Sequence, residues 1–294
     1  MSIDLRYLNN KGMFSSSPFV NHGCNCDLGL YIACVKFEEL EDLVYSANYS
    51  IVKATDKRLV AFHKTENTAL ARKALRFHFI KSAILSYQAC YDYIVQIAYF
   101  GFGFHRRIEK PMEYRSELRH CSFGNTKDSF RMVFKDLLNQ TNKIDVLPDY
   151  ITSAQSFFNQ LEDLYDNQRK EINAWANNLK HHGSLSIKEL APKRMPLIVV
   201  ENALKFNDNH EFIGFQENSK LIPFSDIVQP ELLELDEAIR LLRKNNHTIC
   251  SFSEYLQKQL GLCNLPSKCS TEELCVTPQT FTRNRIEQWL KTKN

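Results

Sequence analysis

Between Asp149 and His182, two series of residues each recur every seven positions. Ile151, Phe158, Tyr165, Ile172 and Leu179 form one series; Ala154, Leu161, Gln168, Trp175 and His182 form the other. A seven-residue repeat keeps one face of a helix against its neighbours, as in coiled coils and helical bundles. The pattern predicts one continuous helix over 149–182, with Asp149 as its N-cap and Gly183 at the C′ position. A chain with such a seam is committed to a helix-on-helix core.

A second stripe comprises Leu70, Ala74, Phe77, Ile80, Ile84, Tyr87, Tyr91, Ile94 and Ala98. It predicts a helix from Thr68 to Phe100, stopped by Gly101-Phe102-Gly103. The second half of that helix is apolar nearly all round and is expected to be central. Asp92 divides the apolar region between Ser82 and Phe104, so neither half reaches the ~18 residues of a membrane span. Shorter helices are expected from Phe37 to Ala47 and from Thr126 to Asn139. Another is expected to open at Pro230 and run toward Leu260, with an interruption near Asn245-Asn246, and a last one over Thr282 to Lys291. Leu197-Ile198-Val199-Val200, Phe212-Ile213-Gly214-Phe215 and Leu221-Ile222-Pro223-Phe224 suggest an antiparallel meander over 196–225. The expected fold is therefore mostly α: a helical bundle with a small antiparallel β insertion and a helical C-terminal extension. Along the chain this gives an N-terminal segment (1–60) packing on the bundle, the bundle itself (61–190), a β meander (191–227) and the extension (228–294).

At 294 residues the chain can bury a sizeable core, and 44% hydrophobic with 24% charged residues is a soluble globular composition. A net charge of +3 neither demands nor excludes a nucleic-acid partner. The stretch Met1 to Arg6 has no apolar core, so a cytoplasmic, non-membrane protein is expected. Nine cysteines is an odd count. Cys34 and Cys90 lie in apolar surroundings, and Cys24-Asn25-Cys26 is too tight for a chelate loop. Cys263, Cys269 and Cys275 recur without a paired C-x-x-C, so reduced thiols are expected and no metal site. A Walker-type glycine loop, G-x-S-x-G and H-E-x-x-H are all missing, and no cofactor is expected.

The chemistry-bearing stretch is Ala176-Asn177-Asn178-Leu179-Lys180-His181-His182-Gly183. Histidine exchanges protons near neutral pH, lysine offsets charge on a phosphate, and asparagine donates to phosphate or ribose oxygens. In a regular helix Asn173, Asn177 and His181 share one ridge, while His182 falls on the seam. That makes His181 the candidate acid/base and His182 a supporting, structural residue. A Lys-His-His run at a helix end has a second reading, as a cap for the last carbonyls and a counterweight to the helix dipole. Asp92 stands alone in an apolar helix. It either orients His181 or His182 or pairs with Lys180, or else bonds a tyrosine or faces a solvated notch.

The string resembles the R-N-x-x-K-H-x-G signature of the HEPN superfamily, helical domains that bind nucleotides or cleave RNA. The preceding helix, Ser86-Tyr87-Gln88-Ala89-Cys90-Tyr91-Asp92-Tyr93-Ile94-Val95-Gln96, resembles the family's small-and-aromatic helix with an internal aspartate. The resemblance covers roughly residues 65–190, and a strand-rich insertion after the motif glycine also occurs in some members. It departs at one position: alanine stands at 176 where the family has arginine. The resemblance implies a metal-independent endoribonuclease of toxin–antitoxin or defence type, or a degenerate relative. His181 would be the general acid/base, Asn177 and Lys180 would hold the phosphate, and Arg169, Asp92 and His182 would support them. It further implies a homodimer with motif helices facing each other, RNA or a nucleotide as ligand, and an antitoxin-like protein partner. The alternative is a non-catalytic HEPN-like module that binds nucleotide, RNA or a protein.

Overall fold

The computed structural model of this chain describes residues 28–56, 68–140, 147–182, 185–190, 198–201, 204–215, 220–223 and 231–260. Most of these residues are helical. Helix α1 (Leu28–Thr55) and helix α2 (Thr68–Gly101) form a long antiparallel hairpin. Its direction follows from the pairs Ala54–Arg76, Asn48–Tyr87 and Lys36–Tyr93. The N-terminal helix is thus much longer than the expected Phe37–Ala47, because Ile32, Ala33, Ile51 and Ala54 extend the buried stripe at both ends.

Helix α2 keeps the predicted bounds within one residue. It ends in a Schellman arrangement: the Phe104 N–H donates to the Tyr99 carbonyl and the Gly103 N–H to that of Phe100, both at 3.0 Å. Gly103 supplies the left-handed backbone (φ 71°) that this closure requires. Gly101 has a different task. A Cβ there would lie 2.7 Å from Leu260, so its missing side chain lets the last helix come close.

Helix α3 (Pro111–His120) has no counterpart among the sequence expectations, since its apolar stripe is short. It starts on Pro111 and on Glu113, whose carboxylate accepts the backbone N–H of Glu109 (2.6 Å) and of Lys110 (3.0 Å). Helix α4 (Phe123–Gln140) follows, and Ser122 Oγ accepts the Asn125 N–H at its start.

The seven-residue seam is not one regular helix. Helix α5 (Leu147–Asp163) passes into a π-helical turn (Leu164–Gln168), then into helix α6 (Lys170–Asn177) and a second π-turn (Asn178–His182). Asp149 therefore sits inside the first turn instead of capping it. Gly183 lies outside the described residues. Gln168 is exposed, whereas Phe158, Leu161, Ile172 and Trp175 are buried as the seam requires.

Strand β1 (Leu185–Ile187) pairs in parallel with β6 (Glu231–Leu233). Between them β2 (Ile198–Glu201) pairs antiparallel with β5 (Lys220–Pro223), and β3 (Leu204–Phe206) with β4 (Phe212–Phe215). The antiparallel insertion is present, as nested pairs instead of a meander, and the parallel pair was not expected. That pair also corrects the last helix. The residues after Pro230 are strand, and helix α7 (Leu235–Gln259) begins later, where Glu189 accepts the Leu235 N–H at 3.0 Å. Helix α7 runs unbroken through Asn245-Asn246. Asn245 is buried, accepting the Tyr91 hydroxyl at 2.6 Å and donating to its own Leu241 carbonyl. The expected helix over 282–291 lies outside the described residues.

One hydrophobic core runs through all the helices, from Ile32 on α1 to Leu260 after α7. Phe102, Phe104, Phe130 and Phe157 pack as a cluster with centroids 4.7–6.2 Å apart, which joins α2, α4 and α5. Cys90 and Cys250 are buried and Cys34 and Cys121 half-buried, all as free thiols. Burial pushes the Cys121 and Cys250 thiols up to about 12 and Cys90 higher still. Such thiols are protonated and unreactive at neutral pH. The cysteines at 24, 26, 263, 269 and 275 lie outside the described residues. Among the described residues no cluster of metal-ligating side chains occurs, and no helix is long and apolar enough to cross a membrane.

Candidate functional site

The π-turns decide which side chains reach the site. The Arg169 N–H bonds the Leu164 carbonyl, five residues back, at 3.0 Å. This wider turn absorbs one extra residue. In a regular helix the buried positions Leu161 and Leu164 would be followed inward by Gln168. Here Gln168 turns outward and Arg169 takes the inward position, with only 15% of its side chain exposed. The polar residue at a seam position was the one sequence sign of this break.

Arg169 faces Asp92 on α2. Its Nη1 donates to Asp92 Oδ1 at 3.1 Å, and its guanidinium lies 3.6 Å from the centre of the Tyr165 ring. Tyr165 stacks in turn on Phe123, with centroids 4.0 Å apart. Gln88, one helical turn before Asp92, donates to Asp92 Oδ2 at 3.1 Å. Its carbonyl oxygen accepts Lys180 Nζ at 2.7 Å. A continuous chain of polar contacts thus runs Arg169–Asp92–Gln88–Lys180. It joins three of the sequence-predicted site residues through one that the sequence reading missed. Gln88 is 7% exposed. Its sign in the sequence was a second polar side chain four residues before Asp92.

Asp92 faces solvent on one side, with 46% of its side chain exposed, as in the solvated-notch alternative. It pairs with Arg169 and Gln88, and Gln88 links it to Lys180. Desolvation by the packed neighbours raises its carboxyl above the usual range, and Arg169, Gln88, Lys180 and Tyr165 offset only part of that rise. An ion pair this exposed adds little stability, about 0–1 kcal/mol. It serves to hold both groups in place.

Asn177, Lys180 and His181 are exposed at the end of α6. The π-turn over Asn178–His182 moves His181 off the ridge of Asn173 and Asn177, because four residues no longer complete a turn there. The side chain of His182 lies outside what is described. Ala176, where the family signature has arginine, is fully buried (0% exposed) beside Ile172 and Trp175. That position belongs to the core and opens onto no groove.

Comparison with protein-family models, with curated proteins and with solved structures returned no significant match.

Replacing Gln88 by leucine is expected to strand Lys180 and remove one donor from Asp92. The expected loss is about 0.5–1.5 kcal/mol, the net worth of ordinary hydrogen bonds, since exposed Lys180 and half-exposed Asp92 can turn to water. Urea unfolding measures it, and an unchanged midpoint would show that the contacts carry no weight.

Proposed function

We propose that this chain is a HEPN-like module that binds single-stranded RNA at the end of its motif helix and has given up cleavage. The carrying observation is the burial of Ala176. The family's arginine has no counterpart at that position, and a cation from a second subunit has no opening beside it. Exposed Asn177, Lys180 and His181 support a binding role, because an amide, an ammonium and an imidazole are each groups that can contact a phosphodiester.

The second reading is a metal-independent endoribonuclease. The Arg169–Asp92–Gln88–Lys180 chain favours it by linking a cation to the motif lysine. There His181 would take the 2′-hydroxyl proton while Asn177 and Lys180 hold the phosphate.

Purified protein mixed with labelled single-stranded RNA separates the two. Binding without cleavage is expected, together with a several-fold loss of affinity in Lys180→Ala. The slope of log affinity against log salt should become shallower by about 0.7, the share of one phosphate contact on a single strand. Cleavage that disappears in His181→Ala would establish the nuclease reading instead. RNA that neither binds nor is cut would sink both.

A further inference from the structure

Outside the motif, helix α5 and the π-turn after it carry a run of amides along an open groove beside α7. Gln155, Asn159, Gln160, Asp163 and Gln168 line it, with Phe252 at its floor, and it encloses about 700 Å³. That volume lies within the range of small-molecule sites. We infer that this groove is a nucleobase subsite, taking the unpaired bases of the same single-stranded RNA whose backbone lies at the motif end. The inference rests on the RNA-binding reading above.

Three observations carry it. First, the described residues that line it include one carboxylate and no cation, which disfavours phosphate there. Asp163 stays ionised, because Asn167 and Gln168 donate to it at 2.8 and 2.6 Å and hold its carboxyl below the usual range. Second, the amides are held by bonds that use only part of their capacity. Gln155 donates to Asn159 at 2.9 Å and Gln160 to the Tyr255 hydroxyl at 3.3 Å. Gln155 keeps a carbonyl oxygen and a second N–H for a ligand, and Gln160, whose amide also donates to Ser156 Oγ at 3.4 Å, keeps its carbonyl oxygen. Paired donors and acceptors in one plane are what a base edge offers, and the apolar floor suits its face. Third, the groove's lining includes Gln168, whose neighbour Arg169 begins the polar chain to Lys180. From Asp163 to Lys180 is roughly 25 Å along the helix at 1.5 Å per residue, the reach of a few nucleotides.

The test uses the full chain with two fluorescent eight-nucleotide RNAs, one carrying bases and one abasic. The base-bearing strand is expected to bind about tenfold more tightly than the abasic one, as for a good base-edge contact. In the double variant Gln160→Ala, Gln168→Ala, that ratio should fall to near one while abasic affinity stays unchanged. Lys180→Ala should weaken both strands alike. A ratio near one in the unmodified protein, or one indifferent to the double variant, overturns the groove assignment and leaves the RNA reading intact. Free adenosine, cytidine, guanosine and uridine, observed by NMR with ribose as control, probe the groove without phosphate. Nucleoside binding lost in the double variant supports the subsite even if neither strand binds and the RNA reading falls. Ribose binding as well as the nucleosides overturns it.

Discussion

Placing arginine at position 176 is expected to unfold this protein or bring it close to unfolding. Ala176 is fully buried, as are Ile172 and Trp175 on the same helix, so the guanidinium would enter a packed core. The effective cost of burying an unpaired ion is several kcal/mol, and forcing bulk into a filled site adds about 1–3 kcal/mol. Ordinary domains have about 5–15 kcal/mol in total. Urea unfolding of Ala176→Arg should show a midpoint far below the parent, or no folded baseline. Ala176→Met, which adds bulk without charge, should lose only the smaller part. A variant with the parent midpoint would mean that position 176 opens to solvent. The argument for a non-cleaving module would then fail with it, and gain of RNA cleavage would make that failure complete.

The second large effect lies in the phenylalanine cluster. Phe102 is 1% exposed and stands 5.2 Å from Phe130 and 5.0 Å from Phe157 between ring centroids. Phe102→Ala is expected to cost about 3–5 kcal/mol, the range for emptying a packed aromatic site. Phe206→Ala is the contrast. That ring is 52% exposed on the β3–β4 hairpin, and its loss should stay within about 0.5 kcal/mol. Thermal unfolding of the two variants side by side checks both values. Phe157 belongs to the helix that leads into the first π-turn, so Phe102→Ala should also loosen the Arg169–Asp92 contact. Equal losses in the two variants would contradict a core centred on this cluster.

What could be read from the sequence divides along physical lines. Helix α2 was legible to within a residue because a long apolar stripe needs no tertiary information. Helix α7 was legible in its body but not at its start, since β6 exists only by pairing with β1, some 45 residues earlier. Helix α3 has too few buried residues to register. At the site, Arg169, Asp92 and Lys180 were recognisable by type, yet their connection was not. It depends on Gln88 and on an irregular turn, and no rule of regular spacing generates either. The identity of Ala176 was plain from the start, but only its burial gives that identity a meaning.

The first π-turn has a further consequence. It acts as a phase adjuster: wound into a regular helix, its extra residue would turn everything downstream by about 100° about the helix axis. Winding the same residues as a regular helix would put Gln168 against Asp92 and swing Arg169 to solvent, whereas removing one residue from the turn would give regular winding and leave Arg169 facing Asp92. The orientation of the motif is therefore set by the winding of this upstream turn as much as by the motif's own letters. Any alignment of a related chain has to admit a one-residue gap at this turn before its arginines can be compared with Arg169.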